Sequence, residues 1–172
     1  MILGGASGDD SGQAGTTLDD ILRLNAQRHP DALALADPPN RAAFTDGEPR
    51  ELTYAQADRM VSAIAGRLRG MGLPTDSIVA TQFPNTCESL LALLGIMRAG
   101  MIAAPMPMLW RRADCVASLS RIGTKALMTC ARIGPADHAA LAIEVAAEIF
   151  PIRHVCGFGG PLPEGFIPLD EL

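Results

Sequence analysis

The sequence predicts an α/β domain, a mostly parallel sheet with helices on both faces. Three observations carry that expectation. Short apolar runs at residues 77–83, 101–106, 125–129 and 153–156 recur along the second half of the chain. Between them lie segments with apolar residues at helical spacing, most closed by glycine. The runs are continuous rather than alternating, which marks strands buried on both faces, as in a parallel sheet. Each strand–helix–strand step is expected to cross over right-handedly.

Taken in order, residues 1–15 are rich in Gly, Ser and Asp and read as a disordered tail, with the domain proper at 16–172. Thr17 is placed to cap a helix over 18–28, with Leu18, Ile21, Leu22 and Ala26 on its inner side and Pro30 ending it. Residues 32–36 read as a short strand. Asp37-Pro38-Pro39-Asn40 opens a polar loop through Asp46-Gly47, and residues 50–53 return as a second strand. Thr53 and Gln56 form a capping box for a helix over 54–71, striped by Ala57, Val61, Ile64, Ala65 and Leu68. Gly72 supplies its left-handed terminus.

The strand at 77–83 follows, and Asn85 with Glu88 three residues on predicts a capped helix to Arg98, stopped by Gly100. After the strand at 101–106 comes a helix over 112–122, with Val116, Leu119 and Ile122 inward and Gly123 as its stop. The strand at 125–129 leads to a helix over 135–150 with Leu141, Val145 and Ile149 on one face. The strand at 153–156 is followed by a loop over 157–161. Residues 166–172 look like the start of a further element with no stop signal after it, a first hint of truncation.

Composition excludes several classes. Of 172 residues, 48% are hydrophobic and 19% charged, so the chain as a whole is not disordered. A net charge of −5 speaks against nucleic acid, which needs a basic patch. Residues 1–15 hold no Lys or Arg, so a secretory signal is not read there. Residues 90–110 imitate a membrane span with Arg98 as their one charge, but Gly95, Gly100, Pro105 and Pro107 punctuate them. A buried helix followed by a buried strand fits better, and no membrane span is expected. Cys87, Cys115, Cys130 and Cys156 form no C-x-x-C pair, and the histidines do not fall at ligand spacings. Reduced thiols in a cytoplasmic protein account for all four.

Catalytic motifs are sparse. The phosphate-binding loop G-x-x-x-x-G-K-[ST] is absent, and Gly157 and Gly159 are followed by Leu162 where a dinucleotide fingerprint needs its third glycine. There is no G-x-S-x-G elbow. Asp19-Asp20 serves a helix N-terminus better than acid–base chemistry. Gly66 and Gly70, four apart on a helix, read as close packing. No catalytic residue and no metal ligand is therefore assigned. Arg111 and Arg112 stand out, because they follow Trp110 at a predicted helix start, where the macrodipole disfavours cations by about 0.3–1 kcal/mol each. Two readings stand open: solvated arginines on a loop, or an anion contact such as the phosphates of a nucleotide-bearing coenzyme, with Trp110 as a stacking wall.

Leu52-Thr53-Tyr54, the long helix ending at Gly72, Ser77-Ile78-Val79-Ala80, Phe83-Pro84-Asn85 and Leu94-Gly95-Ile96-Met97-Arg98-Ala99-Gly100 through Pro105 resemble the opening of the adenylate-forming synthetases. These are the AMP-forming acyl- and aryl-CoA ligases, with peptide-synthetase adenylation domains and luciferases as relatives. The family's early motifs read L-T-Y-x-E-L and L-x-A-G-x-x-x-x-P-L. Lys125-Ala126-Leu127-Met128-Thr129 is similar to the strand after them. Gln56 and Ala57 replace the usual Glu and Leu, and Met106 the usual Leu. The family's ATP loop T-S-G-T-T-G-x-P-K-G, its aromatic-Gly-x-[ST]-E strand, its hinge Asp and its catalytic Lys have no counterpart here.

The resemblance implies the first subdomain of an AMP-forming acyl-CoA synthetase, cut before the ATP loop. The intact enzyme would use ATP, Mg2+ and coenzyme A on a carboxylic acid, in fatty acid metabolism. This chain would be inactive alone and hold none of them tightly. In some family members the segment after the proline lies near the coenzyme A nucleotide, which favours Trp110, Arg111 and Arg112 as cofactor-binding residues. Rival readings are a carrier-protein-loading adenylation domain and a non-catalytic α/β interaction module. A face bared by truncation would favour a homodimer.

Overall fold

A computed structural model describes residues 17–170; the tail expected at 1–15 lies outside them. Helix α1 (Leu18–Arg28) leads to strand β1 (Leu33–Ala36), a 3-10 turn at Arg41–Ala43, and β2 (Glu51–Thr53), which pairs antiparallel with β1. Next come α2 (Tyr54–Gly70), β3 (Ile78–Gln82), α3 (Cys87–Arg98), β4 (Ile102–Pro105) and α4 (Arg112–Ile122). β5 (Ala126–Cys130) precedes a small hairpin of β6 (Arg132–Ile133) and β7 (Ala136–Asp137), then α5 (His138–Glu148), β8 (His154–Phe158) and β9 (Phe166–Pro168). The main sheet has five parallel strands in the order β4-β3-β5-β8-β9. Among the described residues no helix is long and apolar enough to cross a membrane.

The expected two-faced burial is present. Val79, Ala126, Met128 and Cys156 point into one core with α1, α2 and α3. Their neighbours Ala80, Leu127 and Val155 point into a second core with α4 and α5. Alternate residues of one strand therefore fill opposite cores, so every residue of β5 is buried. The five residues read as the stripe of α2 are all buried. Thr53 Oγ accepts the Gln56 amide at 3.3 Å, while the Gln56 carboxamide accepts the Thr53 amide at 2.8 Å.

Several expectations are corrected. α1 buries Asp19 and Leu22, whereas Leu18 and Ile21 stay 55% and 48% exposed. The reason is Arg98, nearly buried on α3, which meets Asp19 at 2.6 Å and Asp58 at 2.7 Å and so sets how α1 is turned. Thr86, not Asn85, is the N-cap of α3, and Glu88 turns inward rather than back to the cap. α4 keeps its predicted bounds but buries Cys115 and Leu119 and leaves Ile122 exposed. α5 begins at His138 rather than at 135, because Gly134 and Pro135 turn the β6–β7 hairpin and Asp137 is the cap, accepting the Ala140 amide at 2.8 Å. Gly157 and Phe158, expected in a loop, extend β8.

Candidate functional site

β3 is continued by α3 on one face of the sheet, and its neighbour β5 is continued by α5 on the other. At the carboxyl ends of two such strands the chain parts in opposite directions and leaves a crevice, the usual ligand position in open α/β sheets. A cleft of about 440 Å³ lies there. Pro84 and Asn85 after β3 form one wall, and Ile133 and Pro135 after β5 the other. Phe44 lines it from the loop before β2, and Met108, Leu109 and Arg111 line it from the turn after β4.

A buried ionic cluster fixes the Phe44 side. Arg41 grips both Glu88 oxygens, at 2.6 and 3.0 Å, and Asp37 at 2.5 Å, with Arg50 also reaching Glu88. Asp37 accepts the Cys87 amide at 2.7 Å and the Arg50 amide at 2.9 Å. Burial pushes the Asp37 carboxyl upward, but those amides and the Arg41 guanidinium prevail and hold it below the usual carboxylate range. The loop is also tied to the hairpin. Thr45 donates to the Arg132 carbonyl at 2.8 Å, Arg132 meets Asp46 at 2.9 Å, and the Gly134 amide donates to the Phe44 carbonyl at 2.7 Å.

The lip rests on Gln82, the last residue of β3, whose side-chain amide donates to the carbonyls of Pro107 at 2.8 Å and Trp110 at 3.3 Å. Its oxygen faces His138 Nδ1 at 3.1 Å. Burial first, and the charge of Arg111 second, push the His138 imidazole down to about 4. Trp110 is half-buried against the core under α4 and α5. Arg111 is the N-cap residue of α4, and its guanidinium donates to the Met108 and Trp110 carbonyls at 2.9 and 3.0 Å. Arg112, exposed, pairs with Glu148 of α5. Asp114 in the first turn accepts the Arg111 amide at 3.2 Å. The cations at this helix start are thus compensated by carbonyls and carboxylates.

Of the three residues singled out from sequence, Arg111 stands on the cleft; Trp110 neighbours it and Arg112 faces α5. Sequence reasoning missed Gln82 and His138. The signal for Gln82 was a long polar side chain at the end of an apolar strand, which burial obliges to find partners. His138 was hidden inside a helix assigned too early a start. The chemistry within reach is recognition: an apolar cleft with one guanidinium on its rim. All four thiols are buried, and burial pushes Cys87 up to about 11 and Cys156 to about 12, so neither is a nucleophile at neutral pH. Among the described residues no group of three or more His, Cys, Asp or Glu side chains is placed to hold a metal ion.

A profile of the family described as AMP-binding enzyme matches residues 22–157. The chain is 31% identical over 151 residues to "Salicyl-AMP ligase / salicyl-S-ArCP synthetase" of Mycobacterium tuberculosis, a match covering 87% of this chain and 26% of that protein. It superposes on the acetoacetyl-CoA synthetase from Streptomyces lividans with a TM-score of 0.77 at 20% identity, over 90% of this chain and 24% of that one. Against the apo structure of Mycobacterium smegmatis MbtA the TM-score is 0.65 at 28% identity, over 81% and 24% of the two chains. The acetoacetyl-CoA synthetase likeness speaks for the fold alone. This chain spans about a quarter of the length of these relatives.

Proposed function

The chain belongs to the AMP-binding enzyme family, and from that premise we propose that it is the opening subdomain of an AMP-forming acid–thiol ligase. In the intact protein, with ATP and Mg2+, a carboxylate oxygen would displace pyrophosphate at the α-phosphorus, and a coenzyme A thiolate would then displace AMP from the acyl adenylate. Residues 17–170 would serve as the support that presents the cleft, and on their own they would be inactive.

One observation carries the role of this part: Arg111 sits on the rim of the cleft where β3 and β5 part. On this reading Arg111 and Arg112 meet the phosphates of coenzyme A, with Trp110 beside them. Arg112 and Glu148 are both exposed, and such a pair contributes only about 0–1 kcal/mol, so an anion can displace the carboxylate. Titrating coenzyme A into the 172-residue chain is expected to show binding that is lost in the double variant Arg111→Ala/Arg112→Ala. Binding unchanged in the double variant, or no binding to the wild-type chain, removes the assignment.

A second reading, transfer to a carrier-protein thiol, is favoured by the name of the 31% identical relative, an S-ArCP synthetase. Supplying the intact parent with coenzyme A or with a phosphopantetheinyl carrier protein separates the two acceptors. Acyl-CoA formation supports the first, and acylation of the carrier alone the second. A cytoplasmic location is part of the proposal, on the strength of four unpaired, buried thiols. So is self-association as a dimer, supported by the exposed apolar side chains Leu18, Ile21 and Leu24 on α1.

A further inference from the structure

The turn that carries Trp110 and Arg111 is held from two sides by contacts of different kinds. On the outer side, Arg111 donates to the Met108 and Trp110 carbonyls from an exposed guanidinium, where water or an anion can take its place. On the inner side, Gln82 is 3% exposed and donates to the Pro107 and Trp110 carbonyls, where neither can enter. The Pro107 carbonyl also accepts the Trp110 amide at 3.1 Å, so the turn closes on itself above Gln82.

Gln82 has one workable orientation. Turning its amide over would set an oxygen against two carbonyl oxygens. With the oxygen directed at His138, Nδ1 carries the proton and donates across 3.1 Å. The Gln82 backbone carbonyl accepts the Thr129 hydroxyl at 2.8 Å, which fastens the strand end to β5. His138 is 1% exposed and its Nε2 has no partner among the described residues, as suits a neutral ring with a single tautomer.

This inference rests on the reading that the turn meets an anionic coenzyme. We propose that Gln82, oriented by His138, is the positioning residue that keeps the Pro107–Trp110 turn in place when Arg111 leaves it for a ligand phosphate. Departure of Arg111 takes a donor from the Trp110 carbonyl, and Gln82 remains bound to that same oxygen. The guanidinium can then change partners without collapse of the turn that aims it.

Trp110 is the sole tryptophan, so its fluorescence reports on the turn whether or not a ligand binds. The test uses the 172-residue chain with coenzyme A as the probe. Gln82→Leu, which keeps the bulk and removes the donors, is expected to red-shift Trp110 emission and raise acrylamide quenching while far-UV circular dichroism is unchanged. The coenzyme A Kd should rise roughly tenfold, the effect of the bond to the Trp110 carbonyl that Gln82 alone supplies once Arg111 has left. His138→Asn retains a donor near the place of Nδ1 and should stay close to wild type, whereas His138→Leu should behave like Gln82→Leu.

Should Gln82→Leu fail to fold, the two His138 variants decide on the same readouts. Unchanged Trp110 emission and quenching in Gln82→Leu overturns the proposal, as does identical behaviour of His138→Asn and His138→Leu. If coenzyme A does not bind the wild-type chain, the functional reading falls, and the Trp110 signal still decides the positioning role by itself.

Discussion

His138 backs the lip of the cleft through Gln82, Glu88 fixes its Phe44 side through Arg41, and each makes a testable difference to stability. Burial depresses the His138 imidazole to about 4 from an ordinary 6.5. Between those values the unfolded chain takes up a proton that the folded chain refuses, so stability falls as pH drops through that window and is flat above it. The loss attributable to His138 is about 3 kcal/mol at its fullest. Urea unfolding at pH 7.5 and pH 4.5 should show a smaller loss in His138→Asn than in wild type, by about 2–3 kcal/mol, most of that amount. Glu88→Gln leaves the buried Arg41 with Asp37 as its remaining carboxylate and should cost about 1.5–3 kcal/mol in the same assay. Neither contact was legible in the sequence. Arg41 and Glu88 are 47 residues apart, and Glu88 stood at a spacing from Asn85 that local rules assign to a helix cap. Arg111 and Arg112 were legible as an oddity, because two cations at a helix start break a local rule. Their carbonyl and carboxylate partners are set by tertiary contacts and were not.

The helices whose ends carry reciprocal caps or glycine stops were placed to within a residue. The Thr53–Gln56 box and the left-handed Gly72 bracket α2, and Gly123 at φ +70° closes α4. Errors arose where one signal has two uses. Pro135 suits the first turn of a helix as well as it suits a hairpin turn, and only the pairing of β6 with β7 separates them. Glycines on helices are similarly ambiguous. A Cβ at Gly95 of α3 would lie 2.5 Å from Ile64 Cγ2 of α2, so Gly95→Ala should destabilise by about 1–3 kcal/mol through overpacking. Among the described residues, Gly66 of α2 has nothing within 4 Å of such a Cβ, and Gly66→Ala should stabilise by about 0.5–1 kcal/mol. Thermal unfolding of the two variants should therefore move in opposite directions, which identifies the glycine used for packing.

For the molecule as a whole, alternation of strands and helices made the layers readable, because two-sided burial leaves continuous apolar runs. The order β4-β3-β5-β8-β9 was not readable, since neighbouring in a sheet leaves no local trace, and the position of the cleft follows from that order. At this scale the 172-residue chain is expected to show no ATP–pyrophosphate exchange, and detectable exchange would remove the proposed division of labour. Sedimentation at rising concentration is expected to show a dimer, and Leu18→Lys/Ile21→Lys to return it to monomer. The Arg41–Asp37–Glu88 cluster has one more consequence. Mobile ions cannot enter it, whereas they reach Arg111 freely. Raising the ionic strength should therefore strip a phosphate-bearing guest from the rim while the chamber behind it keeps its dimensions. A salt series then becomes a tool that separates loss of affinity from loss of shape.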